Sequence, residues 1–347
     1  MKQRNYSMDV FRFFAALLVV VCHVDFMVEG PEAVYLFVAR FMPRITLGFF
    51  FGMSGYFYLQ ALEAGKDVFK KQFKSLLKVY IVWSLIYYMA SFVMNVIIEG
   101  DALGQFIIER IVFFLTRGSY SHFWFFPAII YSLILATICY KISHKHGLKV
   151  LTVVSVLLFL LGNLGSAYYE IGIKIPLIST IITEHRDGFE VFRGIFCMGL
   201  PYFMIGYILN KCEGWIAKTG KIKLFSIMAV VIALYCLEIV VLSCVLKWYQ
   251  YPEVFLGLYP TALAIMMCLI KCPKPAWKPY ANSCKRMSGY VYYVHPLLIL
   301  VIKMLAGICG VYVTSVVMYI AVISIALISG WILMKLNEKI KWISYLL

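Results

Sequence analysis

Charge is scarce in this chain. Lysine, arginine, aspartate and glutamate make up 14% of its 347 residues, where a soluble domain carries about 25%, and that deficit excludes an ordinary soluble fold. Acidic residues are scarcer still, 17 against 32 basic ones. The ten cysteines show no metal-ligand spacing. Cys22, Cys139, Cys197, Cys236, Cys244 and Cys268 lie inside apolar runs and read as small packing residues, so no metal is expected. There is no internal repeat, no low-complexity linker and no small-residue cleavage site after the first apolar run. That run is expected to stay as a membrane span rather than leave as a signal.

Apolar residues fill the space, at 63% of the chain. Runs of about 20 apolar residues, enough to cross roughly 30 Å of hydrocarbon as helix, recur about ten times. They fall near residues 8–28, 33–62, 72–98, 122–142, 149–164, 192–211, 222–246, 254–271, 286–309 and 311–336. The expected fold is all-α: a polytopic membrane protein forming a single domain over residues 1–347, with the lipid bilayer as its first partner.

The net charge of +15 invites a nucleic-acid reading, and its distribution rejects it. With the N-terminus in the cytosol, the inner loops collect 22 lysines and arginines, from Lys2 and Arg4 to Lys339 and Lys341. The outer loops hold five: Arg110, Arg117, Lys174, Arg186 and Lys247. That is a positive-inside pattern, with attraction to anionic lipid as a secondary effect. Both termini are expected in the cytosol.

Ionisable groups at membrane depth are costly and point to function. Arg12 and His23 lie eleven positions apart in RFFAALLVVVCH. At about 100° per residue they return to nearly one helix face, separated by a rise of roughly 16 Å. Asp9 precedes Arg12 by one turn and could orient its guanidinium. Arg12 could also simply snorkel, and a lone helical histidine often only packs. In the second span, RFMPRITLGFFFGMSGYF brings Arg40 and Arg44 from outside, and Ser54 and Gly55 interrupt an aromatic helix where close helix packing would suffice as an explanation. Lys71, Lys74 and Lys78 recur on one face at the cytosolic border, either as a snorkelling belt or as a site for a phosphorylated cytosolic ligand. His122 and Trp124 open the fourth span at the outer interface. Tyr292 and His295, three apart, share a face of the ninth, where Pro296 is expected to loosen the helix. Two stretches outside the spans have character of their own. One, from Glu99 to Ser121, includes an amphipathic-looking FIIERIVFFL. The other is a polar, Gly-rich stretch from Gly165 to Glu190, expected to lack regular structure.

In this order, these elements resemble the acyltransferase-3 family of membrane proteins, which acylate cell-envelope polymers and other acceptors. The matching pieces are Arg12 with His23, FFFGMSGYF, the basic VFKKQFKSLLKVY, HFWFF and SGYVYYVH, spread over essentially the whole chain. The family's third-span motif is typically arginine-rich with a proline; here it carries lysines and no proline. A second resemblance, over HFWFFPAIIYSLIL, VLLFLLGNLGSAYY and FRGIFCMGLPYFMIGYIL, is to the membrane module of serine racemases from vancomycin-resistant bacteria. The chain is expected to be a stand-alone form, without an esterase-like or racemase domain.

The first resemblance implies an O-acetyltransferase of the bacterial cytoplasmic membrane. Cytosolic acetyl-CoA, or another acyl-CoA, would be the donor, with its phosphates on Lys71, Lys74 and Lys78 and Ser54 in the donor set. His23 would act as general base or acyl carrier, with Arg12 and Asp9 beside it. The acceptor, a hydroxyl of an envelope or lipid-linked carbohydrate, would meet His122, Trp124, Arg40, Arg44, Tyr292 and His295. A homodimer is compatible with these residues. The second resemblance implies an amino-acid transport module instead, using Arg12, Arg40, Arg44 or Arg193 for a carboxylate and Asp9, Asp187 or Glu190 for an ammonium.

Overall fold

The computed structural model describes residues 5–98, 100, 102–248 and 253–347. Lys2 and Arg4 of the basic N-terminus, and Glu99 and Asp101 at the start of the 99–121 segment, lie outside them. Among the described residues there is no strand, and ten main helices carry the chain: α1 (Tyr6–His23), α2 (Ile45–Glu63), α3 (Phe69–Phe92), α4 (Leu103–Leu115), α5 (Phe125–Leu164), α6 (Leu200–Lys218), α7 (Lys221–Ile239), α8 (Leu258–Lys271), α9 (Lys278–Ile308) and α10 (Ser315–Leu336). Eight described helical segments are long and apolar enough to span a bilayer. One of them, Ser121–Leu164, has 44 residues, about twice the length a single crossing needs. It is two arms. Ser143 and His144 leave helical geometry, and a Cβ on Gly147 would lie 2.1 Å from the Cys139 carbonyl oxygen, so the chain doubles back tightly there. With α8, a shorter apolar helix of 14 residues, the expected count of about ten is reached, and the chain is a multi-pass membrane protein.

The spans differ in their ends from the sequence expectation, for local reasons. α1 stops at His23 rather than near residue 28, because Asp25 and Met27 adopt φ of 51° and 63°, which no right-handed helix accepts. Its start is set by Asn5, whose side chain accepts from the Ser7 and Met8 amides at 3.0 and 3.3 Å, a standard N-cap. α9 begins at Lys278 rather than near 286, taking in the polar KPYANSCKRM, with a proline in the first turn where no amide partner is needed. It runs through Pro296 unbroken, where the sequence suggested loosening. α10 starts at Ser315 under the Thr314 cap rather than at 311. The 165–190 stretch, expected to be irregular, folds into short helices at Tyr169–Gly172, Pro176–Thr183 and Arg186–Phe192. α4 supplies the amphipathic helix of the 99–121 segment, with Phe106 as its buried residue.

The chain forms two compact units, residues 1–50 with 267–347, and residues 51–266. In the first, α1 packs along α9, and α9 against α10. The Ser7 hydroxyl donates to the Cys272 carbonyl and accepts from the Lys274 amide, tying the start of α1 to the loop before α9. On the other side of α1, the Phe11 and Phe49 rings meet edge to face at 4.7 Å. In the second unit, α2 and α6 touch backbone to backbone. A Cβ on Gly55 would fall 1.9 Å from the Phe203 carbonyl oxygen, and one on Gly206 would fall 2.1 Å from the Tyr56 amide nitrogen. Gly55 of GMSG thus serves close packing.

Candidate active site

The first unit gathers seven of the residues singled out from sequence: Asp9, Arg12 and His23 on α1, Arg40 and Arg44 ahead of α2, and Tyr292 and His295 on α9. The pairing of α1 with α9 sets their geometry. His23, on the last turn of α1, faces His295, with ring centroids 4.9 Å apart and planes at 53°. His295 is fully buried. Its Nδ1 lies 3.1 Å from the Val291 carbonyl oxygen. A carbonyl only accepts, so this contact places a proton on Nδ1 and leaves Nε2 as the basic nitrogen. Tyr292 stands 6.2 Å from the His295 ring. Arg12 lies half-buried within electrostatic reach of Tyr293, and Asp9 is buried near Cys284.

Beyond His23 the backbone turns irregular. Leu36–Phe41 is π-helical and carries Arg40, and Met42–Arg44 is a 3₁₀ turn ending on Arg44. π-Bulges often mark functional positions. Arg40 donates from Nε to the Tyr35 hydroxyl at 2.9 Å and pairs with Asp25 at 3.1 Å, and Tyr35 donates to the same Asp25 oxygen at 3.1 Å. Asp25 and Arg40 are both within electrostatic reach of His23. The sequence reading passed over Asp25 and Tyr35. The available signal was a carboxylate two residues past His23 at the edge of an apolar run.

Glu29 completes this edge. Its carboxylate accepts from the Ser315 amide at 2.8 Å, the Ser315 hydroxyl and the Tyr312 hydroxyl. The Ser315 oxygen in turn accepts from the Met27 amide at 2.8 Å. The hydrogen bonds from Ser315 lower the Glu29 carboxyl to about 2.

The remaining predicted residues belong to the second unit. Lys71, Lys74 and Lys78 lie exposed along one face of the first turns of α3, as their spacing required. Ser54 is half-buried on α2. His122 is not at an open mouth; it is buried at 3% exposure among the rings of Tyr87, Tyr120 and Phe123, at 5.4, 5.8 and 3.9 Å. Trp124 packs beside Phe51 at 5.9 Å. Arg193, proposed for a ligand carboxylate in the transport reading, is buried and ion-paired to both Glu190 and Glu253, with a further bond to the Gly165 carbonyl at 3.1 Å. Its charge is already matched inside the unit. Asp187 is almost fully exposed and pairs with Arg117 at 3.5 Å. A mostly apolar cavity lined by Leu160, Leu161, Asn163, Leu164, Tyr168 and Leu256 contains none of the predicted site residues. Among the described residues no cluster of histidine, cysteine or carboxylates is placed to hold a metal.

Residues 5–335 match the acyltransferase domain family. An amino-acid racemase of Enterococcus faecalis is 24% identical over 98% of this chain and 47% of its own length. A second amino-acid racemase of that organism is 27% identical over 65% of this chain and 31% of its own. The serine/alanine racemase of Enterococcus gallinarum is 24% identical over 98% of this chain and 47% of its own. The chain spans about half the length of the curated relatives it matches. No solved structure matches. The match covers nearly the whole chain, and the chain belongs to the acyltransferase domain family.

Proposed function

We propose that this member of the acyltransferase domain family moves an acetyl group from cytosolic acetyl-CoA to a hydroxyl of an envelope or lipid-linked carbohydrate in a bacterial cytoplasmic membrane. The observation that carries the chemistry is the His23 and His295 ring pair, 4.9 Å apart between two packed helices. Intramembrane imidazoles facing one another are costly unless used, and imidazole suits proton transfer near neutral pH.

In this reading His23 takes the proton of the acceptor hydroxyl as its oxygen bonds to the thioester carbonyl carbon. The carbon–sulfur bond then breaks, and the proton passes from His23 to the departing CoA thiolate. His295, its Nδ1–H held by Val291, keeps the partner ring in place. Arg12, with Asp9 behind it and a rise of roughly 16 Å from His23 along α1, holds the donor on its way to the histidine pair. Lys71, Lys74 and Lys78 receive the nucleotide phosphates as point charges. The family match runs through both compact units, which supports reading residues 1–347 as one functional domain, with both termini in the cytosol as the lysine distribution suggests.

The racemase names of the relatives support a second reading, passage of an amino acid through the membrane unit. It is weakened by Arg193, which its own carboxylates already neutralise. The two separate in one experiment. Purified protein in nanodiscs, given radiolabelled acetyl-CoA and a carbohydrate fraction of the envelope, should yield label in a hydroxylamine-labile ester. Absence of any such label, with L-serine uptake by proteoliposomes, would replace acyl transfer with transport.

A further inference from the structure

Three departures from regular backbone meet at one ion pair. Asp25 and Met27 take left-handed φ of 51° and 63°, and Arg40 sits in the π-helical Leu36–Phe41. For a methionine that conformation is disfavoured, and such strain persists only where surrounding contacts enforce it. They do: the Met27 amide donates to Ser315 at 2.8 Å, and Ser315 is gripped by Glu29. This hardware fixes the Asp25 carboxylate two residues from His23. One of its oxygens, Oδ1, takes the bonds from Tyr35 and Arg40. The other, Oδ2, has no protein donor among the described residues. The side chains of Asp25 and Arg40 remain 46% and 43% exposed, so both offer unused hydrogen-bonding capacity to a ligand.

We propose that Asp25, with Arg40, binds the acceptor, and that the acceptor is a neutral polyhydroxyl compound. This rests on the acyl-transfer reading above. A diol fits the pair as it stands: one hydroxyl donates to Asp25 Oδ2 and its neighbour accepts from the Arg40 guanidinium, while the 3.1 Å ion pair stays intact. The ammonium and carboxylate of a free amino acid would reach the same two atoms, so the glucoside and serine arms of the test below separate the two ligands. Asp25 is then an acceptor-positioning residue that brings a hydroxyl to His23.

The test uses the full chain in nanodiscs, methyl α-D-glucopyranoside and L-serine as probes followed by saturation-transfer NMR, and acetyl-CoA hydrolysis without acceptor. Asp25→Asn should weaken glucoside binding about tenfold, the loss of one charge-assisted hydrogen bond, and raise the acceptor KM in parallel. Asp25→Glu should recover part of the binding, and Tyr35→Phe should weaken it less than Asp25→Asn. Equal glucoside binding by wild type and Asp25→Asn would overturn the proposal. So would Asp25-dependent binding of serine but not glucoside. A wild type that binds glucoside through Asp25 yet never cleaves acetyl-CoA would sink the acyl-transfer reading and leave this site standing.

Discussion

His23 and His295 hold their rings 4.9 Å apart at 53°, one on α1 and one on α9. Because both helices pack along their length, the pair is set by the tertiary fold and not by a flexible loop. If His295 acts through His23, His295→Ala should lower kcat for acetyl transfer roughly 10- to 100-fold with little change in donor KM. The double variant should be no slower than His23→Ala alone, since groups working as a unit are not additive. Additive losses in steady-state assays would separate the two histidines.

Lys74 occupies the middle of the exposed lysine face at the start of α3. As a phosphate contact, Lys74→Ala should raise the KM for acetyl-CoA several-fold and leave kcat nearly unchanged. The effect should shrink as salt rises, because exposed charges are screened beyond about 8 Å at physiological ionic strength. A KM indifferent to both substitution and salt would return these lysines to a topology role.

Gly55 and Gly206 are where α2 and α6 touch. Gly55→Ala would drive a methyl into the Phe203 carbonyl, 1.9 Å away, and backbone does not yield as a side-chain tip does. Overpacking of this kind costs about 1–3 kcal/mol, visible as a lower melting temperature in detergent. Gly214→Ala, with nothing within 4 Å of the added carbon, is the control and should melt as wild type does.

Glu29 ties the loop after α1 to the start of α10. Its folded carboxyl titrates at about 2, below the ordinary 4.5, so the unfolded chain binds the extra proton between those values. The stabilisation is fully present above about pH 4.5 and is lost as pH falls through about 2. Melting curves of wild type and Glu29→Gln should therefore differ at neutral pH and converge near pH 2. A gap independent of pH would mean that Glu29 contributes no charge-dependent stability.

Much of this was legible in the sequence because hydrocarbon imposes strong rules. Apolar runs gave the spans, and the eleven-residue step from Arg12 to His23 put both on the helix that packs on α9. Less legible were features set by contacts between distant residues. The polar KISHKHGLK between the runs 122–142 and 149–164 marked the break at Ser143 and His144, but not its tightness, which depends on Gly147 passing Cys139. His122 looked like an interfacial side chain and is enclosed, because Tyr87 and Tyr120 close over it. Asp25 owes its contacts to Arg40 and Tyr35, and its loop is held by Ser315, nearly 300 positions away. Tyr292 and His295 were read correctly as sharing a face, but only the packing of α9 on α1 shows that His295 meets His23.

The most direct measurement of the central claim is release of free CoA thiol from acetyl-CoA by the purified protein in lipid, for wild type and His23→Ala. Loss of a general base predicts turnover reduced by roughly 10²–10⁴-fold, with acetyl-CoA binding retained. Wild-type protein, shown to be folded, that neither binds nor cleaves acetyl-CoA would contradict acyl transfer at this histidine pair.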